Sequence, residues 1–246
     1  MIELKINLNA RKFITAVFTA VVSVEILFLL LDVIFNYGKL IPIGSLQRLF
    51  NFAREDSLQA WAASVQTLFV ALVIWCIYFK NRSRAWAAIA AFFTYLAIDD
   101  GSKFHERIGT AVKGMGGDTG RDVAEATMAL DHSYTWQYVF GPFLISMGIF
   151  ILFFMWRELK TKNLRLLIFA ALSCYGLAVG LDFVEGLPGA YEGIGAAAGL
   201  SGKFVNHFGR VLEEFLELFG TTLFLVTFLS HFVRISPKTT IVFEKA

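Results

Sequence analysis

The chain has 246 residues, of which 57% are hydrophobic, and its mean hydropathy is +0.62. A soluble domain has about 45–50% apolar residues, so the composition excludes an ordinary soluble protein. The net charge is only +2, and no basic tract stands clear of the apolar runs, so we expect no nucleic-acid partner. Both cysteines, Cys76 and Cys174, fall inside apolar runs and indicate buried thiols rather than a disulfide framework.

Six apolar runs joined by polar links predict the fold. A helix needs about 20 residues to cross a bilayer, and six runs reach or approach that length. The sequence therefore predicts an all-α, multi-pass membrane protein whose single domain, residues 1–246, is a bundle of six transmembrane helices. The predicted spans, in chain order, are about 13–35, 57–79, 85–106, 136–156, 166–185 and 208–233.

The first span carries two acidic residues on an otherwise apolar helix. Glu25 lies near its middle, and Asp32 follows seven residues later, which is close to two helical turns. The two side chains therefore share one face of the helix. Because acids inside a span are costly and rare, we expect them to face the bundle interior or to form part of an ion path.

The third, fifth and sixth spans run out of apolar residues too early. Their apolar runs have about 13, 16 and 16 residues, against the roughly 20 that a crossing needs. To cross, each helix must include the acidic residues at one of its ends. These residues are Asp99, Asp100, Asp182, Glu185, Glu213, Glu214 and Glu217. Ionisable side chains at membrane depth by default mark a functional site.

Basic residues predict the orientation of the chain. The segments 1–12, 80–84, 157–165 and 234–246 hold thirteen of the twenty-two Lys and Arg residues. The positive-inside rule therefore predicts that both termini lie in the cytoplasm of a bacterial inner (plasma) membrane. All three acidic span ends then fall in the outer half of the bundle.

The spacing of the acidic and imidazole side chains predicts a divalent metal site. Asp99, Ser102 and Glu106 recur at helical spacing on the third span, and His207, Glu214 and Glu217 do so on the sixth. Carboxylates with one or two imidazoles hold metal ions in helical bundles. The predicted ligands are Asp99, Asp100, His105, Glu106, Asp182, Glu185, His207, Glu213, Glu214 and Glu217, with His132 as a further candidate. The residues do not distinguish Zn, Mn and Fe.

Three functions remain open from the sequence. The first is divalent metal binding, extended to metal-dependent catalysis on a lipid-like substrate from the surrounding membrane. The second is a structural or accessory subunit of a larger membrane complex, in which Lys103, Arg107 and Arg210 pair with the acids. The third is an ion or proton carrier whose path runs from the outer acids to Glu25.

Overall fold

The computed structural model is almost entirely helical. It describes residues 2–4, 9–37, 40–54, 56–105, 107–108, 111, 136–237 and 241–243. The described elements, in chain order, are β1 (Ile2–Leu4), α1 (Ala10–Asp32), a π-helical turn (Val33–Tyr37), α2 (Gly44–Leu49), α3 (Leu58–Asn81), α4 (Arg84–Ser102), α5 (Trp136–Glu158), α6 (Lys162–Glu185), α7 (Ala190–Ala198), α8 (Gly202–Ile235) and β2 (Ile241–Phe243). The prediction of a helical fold is confirmed.

Five helical segments in the described part are long and apolar enough to cross a membrane. They are Ala10–Tyr37, Leu58–Asn81, Phe140–Glu158, Lys162–Glu185 and Gly202–Ile235. The remaining long helix, α4, has 19 residues and contains Asp99 and Asp100 in its last turn. These helices fit a membrane bundle, whereas a sixth crossing through α4 stays a prediction.

Side chains at the polar links fix where several helices begin. Asn9 accepts a hydrogen bond from the backbone of Lys12 at 3.1 Å and so caps α1. Ser57 caps α3 and Ser201 caps α8 in the same way, at 3.4 and 3.2 Å. These contacts satisfy backbone N–H groups that have no partner within the helix.

Helix α4 ends four residues before the predicted limit of the third span. Lys103 takes a left-handed conformation, with φ of 53°, and its backbone N–H donates to the carbonyl of Asp99 at 2.7 Å. The reversal at Lys103 therefore ends the helix that carries Asp99 and Ser102. Glu106 itself lies outside the described residues.

Consecutive long helices run antiparallel. Trp75 of α3 hydrogen-bonds Thr94 of α4 at 3.1 Å, whereas Thr67, two turns earlier on α3, contacts Asp100 two turns later on α4. The C-terminal ends of α1, α4 and α6 therefore meet the N-terminal half of α8 at one end of the bundle, which we call the acidic end. The basic links, near residues 80–84 and 157–165, lie at the other end, which we call the basic end.

Aromatic rings fill the core towards the basic end. Phe93 of α4 meets Phe224 and Phe228 of α8 edge to face, with ring centroids 5.0 and 5.9 Å apart. Trp86 stacks on His231, with ring centroids 5.2 Å apart.

The two short strands near the ends of the chain meet at the basic end. β1 and β2 pair antiparallel, with Ile2 opposite Phe243.

Candidate polar site at the acidic end

Five carboxylates from three helices gather at the acidic end. We call this group the acid cluster: Asp100 on α4, Asp182 on α6, and Glu213, Glu214 and Glu217 on α8. Glu213 lies close enough to Asp182, Glu214 and Glu217 for their negative charges to repel it. Glu217 is repelled in turn by Glu214, Asp100 and Asp182, and it is attracted by Lys103. The acids of α4, α6 and α8 therefore lie near one another at this end of the bundle.

Neutral and basic side chains contact three of the carboxylates at the acidic end. Gln137 of α5 donates a hydrogen bond to Asp182 at 2.6 Å, and the hydroxyl of Thr67 donates to Asp100 at 3.4 Å. Glu185, one turn beyond Asp182 on α6, forms an ion pair with Arg210 of α8. These contacts hold α5 and α8 against α6.

Tyr175 and Thr221 lie beneath the acid cluster, where α6 and α8 approach closely. Their hydroxyl oxygens are 2.6 Å apart, and the Thr221 hydroxyl donates its one hydrogen to the backbone oxygen of Glu217 at 2.9 Å. The approach needs a glycine, because a Cβ at Gly220 would stand 3.0 Å from the Tyr175 ring. The backbone that carries Glu217 is therefore fixed by packing.

Asp99 and His105 form a separate pair beside the cluster. The left-handed residue Lys103 turns the chain back, so that the His105 backbone donates to Asp99 at 2.9 Å and its ring nitrogen Nδ1 lies 2.5 Å from the carboxylate. The His105 ring also packs edge to face on Trp136, with centroids 4.5 Å apart. His105 therefore contacts both Asp99 and Trp136.

Asp32 and His207 form a second pair, between α1 and α8. The Asp32 carboxylate is 1% exposed and accepts hydrogen bonds from Asn36, from the backbone of Phe52 and from His207, at 3.1, 2.9 and 3.1 Å. The His207 ring lies edge to face against Tyr37, with centroids 4.6 Å apart. This pair therefore joins three segments of the chain through one buried carboxylate.

Glu25 lies deeper, between α1, α3 and α8. One of its oxygens contacts Gln66 and Thr222, whereas Oε2 is buried and has no hydrogen-bond partner in the described structure. Glu25 and Asp32 both face the bundle interior, in agreement with the prediction that they share a face.

Two ionisable side chains outside the spans, Asp56 and Tyr191, have shifted pKa values. Asp56 is exposed, and hydrogen bonds from Arg54 and Arg48 hold its pKa well below the ordinary value. Tyr191 of α7 is buried, and burial together with the nearby charges of Glu185 and Glu213 raises its pKa to about 12. Negative charge therefore prevails around Tyr191.

The predicted ligands do not meet at one point in the described structure. His105 contacts Asp99 and His207 contacts Asp32, while Glu106 and His132 lie outside the described residues. Among the residues described, no three His, Cys, Asp or Glu side chains are placed to hold one metal ion. Metal binding therefore stays a prediction.

The neutral partners of the acids could not be identified from the sequence. They include Gln66, Gln137, Tyr175 and Thr222, which interrupt apolar runs without a formal charge. A polar side chain within a span needs a partner, so their position in the apolar runs indicates that they form hydrogen bonds inside the bundle. The sequence does not show which residue each of these side chains contacts.

A protein-family model described as "Domain of unknown function (DUF8692)" matches residues 13–232. The match covers well over half of the chain, so the chain belongs to this family. No curated protein matches the chain. No solved structure matches it either.

Proposed function

We propose that this member of the DUF8692 family binds a divalent cation at the acid cluster. The observation that carries the proposal concerns Glu213 and Glu217, two half-buried carboxylates that lie among other carboxylates. In the described part of the chain, no Lys or Arg side chain forms an ion pair with either of them. A bound cation would remove this repulsion.

The size of the repulsion supports a ligand of more than one positive charge. Two unit charges about 4 Å apart interact by roughly 4 kcal/mol at an effective dielectric constant of about 20. Lys103 attracts Asp100 and Glu217. One ammonium group offsets only part of the charge of these two carboxylates, so protons or a cation would supply the rest.

The donor atoms favour a hard ion. Among the described residues, His105 contacts Asp99 and His207 contacts Asp32, and neither aspartate belongs to the cluster. The acid cluster thus offers carboxylate oxygens, which suit Mn²⁺, Mg²⁺ and Ca²⁺ better than Zn²⁺. Because no three described ligands converge as they stand, binding requires the Glu side chains of α8 to turn inward. Glu106 remains a predicted ligand.

The proposal is tested by calorimetric titration of Mn²⁺ into the purified full chain in mild detergent. We expect one binding event, and we expect the double variant Glu213→Gln/Glu217→Gln to abolish it. Glu192→Gln is the matched control, because Glu192 is an exposed carboxylate on α7 outside the cluster. Equal Mn²⁺ binding by the double variant and the control would contradict the proposal.

We also propose that α4 crosses the membrane, which makes six crossings. The antiparallel order of the long helices and the pairing of β1 with β2 support this count, since an odd number of crossings would separate the paired ends of the chain. With six crossings, the basic residues of the links support a topology in which both termini lie in the cytoplasm of a bacterial inner membrane and the acid cluster lies towards the outside.

A structural or accessory subunit of a membrane complex is the second candidate. Its support is that Asp32 and Glu185 each have a partner on another helix and that Asp99 is paired with His105. In that case chelation leaves thermal stability unchanged, and gentle extraction returns the chain with other membrane subunits. Catalysis on a lipid-like substrate stays a prediction from the sequence.

A further inference from the structure

Glu25 lies in the interior of the bundle with polar groups of two other helices around it. It is 1% exposed, and its neighbours Gln66 of α3 and Thr222 of α8 are 9% and 0% exposed. The backbone oxygen of Leu218 completes the group. We call these four groups the Glu25 site.

The Glu25 site has more hydrogen-bond acceptors than donors. Nε2 of Gln66 lies 2.6 Å from Oγ1 of Thr222, 3.1 Å from the Leu218 oxygen and 3.3 Å from Oε1 of Glu25. The Thr222 hydroxyl donates to the same Oε1 at 2.5 Å. An amide nitrogen has two hydrogens and a hydroxyl has one, and Oε2 of Glu25 receives neither.

No basic side chain offsets the charge of Glu25 in the described structure. On α1, no other ionisable residue occurs between Lys12 and Asp32, and α3 carries no acidic or basic residue before Lys80. On α8, Glu217 precedes Thr222 by five residues and His231 follows it by nine. An unpaired carboxylate in an apolar interior is so costly that it takes up a proton or a cation.

We infer that the Glu25 site binds one monovalent alkali cation, which competes there with a proton. Rotation of the Gln66 amide by half a turn exchanges its nitrogen for its oxygen. The site then offers five oxygens: two from Glu25 and one each from Gln66, Thr222 and Leu218. A single negative charge among oxygen donors matches a single positive charge, which separates this site from the acid cluster.

Apolar side chains border the site on both sides. Towards the basic end, the rings of Phe93, Phe224 and Phe228 pack against one another. Towards the acidic end, Phe28 and Leu218 belong to a second buried apolar cluster. This inference does not rest on divalent binding at the acid cluster.

The test uses dicyclohexylcarbodiimide, which adds to a protonated carboxyl group in an apolar setting and leaves a stable N-acylurea. The purified full chain is labelled in choline chloride and in NaCl, LiCl or KCl at equal ionic strength, and peptide mass analysis follows labelling at Glu25. We expect at least one alkali cation to slow the labelling about tenfold when it is present at about ten times its Kd.

Variants separate cation binding at the Glu25 site from a general effect of salt and from binding at the acid cluster. Thr222→Val should still be labelled at Glu25 but should lose the protection by alkali cations, because a methyl group replaces one oxygen ligand. Glu213→Gln, in the acid cluster, should keep the protection even if the proposed divalent site fails. Glu25→Gln should show no label at position 25.

Two results would overturn the inference. The first is labelling of Glu25 at the same rate in choline and in all three alkali salts, which would indicate a site for protons alone. The second result is needed if Glu25 is never labelled. In that case the melting temperatures of the unmodified chain and of Glu25→Gln are compared in choline chloride and in the alkali salts. An equal dependence on the cation in both chains would exclude the site.

Discussion

Replacing Asp32 with alanine removes the acceptor of three hydrogen bonds at the junction of α1 and α8. The carboxylate is 1% exposed and contacts Asn36, the Phe52 backbone and His207. A buried donor left without its acceptor costs about 1–3 kcal/mol; three donors lose theirs, and since two of them are only partly buried we take a combined cost of about 3–5 kcal/mol. We expect Asp32→Ala to lower the free energy of unfolding by about that amount.

The conservative change Asp32→Asn should cost less. The amide keeps one oxygen that can accept from the Phe52 backbone, whereas an NH₂ group replaces the oxygen that contacts His207. A buried donor or acceptor without a partner costs about 1–3 kcal/mol, and we expect a loss in that range. The order of stability is therefore the unmodified chain, then Asp32→Asn, then Asp32→Ala.

The measurement is reversible unfolding in mixed micelles of a mild detergent and dodecyl sulfate, followed by circular dichroism. Asp56→Ala is the control, because Asp56 is exposed and pairs with Arg48 and Arg54 at the surface. Such surface pairs contribute little to stability. If Asp32→Ala destabilises the chain no more than Asp56→Ala does, Asp32 does not hold α1 against α8.

Three further predictions concern packing, pH and topology. Gly209→Ala should destabilise the protein by about 1–3 kcal/mol, because the new Cβ would stand 2.5 Å from the Tyr191 hydroxyl. Gly180→Ala is the control: its Cβ would have no neighbour within 4 Å, so it should be neutral or stabilising in the same unfolding assay. The pKa of Tyr191 is raised from 10 to about 12, so the folded state holds the phenol proton more tightly than the unfolded state does. The stability that this proton contributes is complete below pH 10 and is lost as the pH rises through about 12. Unfolding measured across that range should show the loss in the unmodified chain and not in Tyr191→Phe. A green fluorescent protein fused after Ala246 should fluoresce in the cytoplasm, and an alkaline phosphatase that is active there instead would contradict the proposed topology.

The sequence predicted the helices well because the length of an apolar run is a local property. Five of the six predicted spans correspond to helices long and apolar enough to cross a membrane. The end of α4 was harder to predict. Lys103, which is not a glycine or an asparagine, takes the left-handed conformation, whereas Gly101 lies inside α4, so the pattern did not mark the position of the break before His105.

The pairing of polar side chains could not be predicted, because it depends on contacts between distant parts of the chain. Asp32 and His207 are 175 residues apart, and Glu25 and Thr222 are 197 residues apart. Helical spacing shows which side chains share a face, but helix packing decides which faces meet. The sequence therefore predicted His105 and His207 as metal ligands. In the structure His105 contacts Asp99 and His207 contacts Asp32.

Anomalous X-ray scattering from crystals grown with Mn²⁺ tests most directly whether the acid cluster binds a divalent cation. We expect a peak within coordination distance of the carboxylates of Glu213 and Glu217, on the side that faces Asp182. Fully occupied Mn²⁺ elsewhere in the crystal, with no peak between α4, α6 and α8, would contradict divalent binding at the cluster.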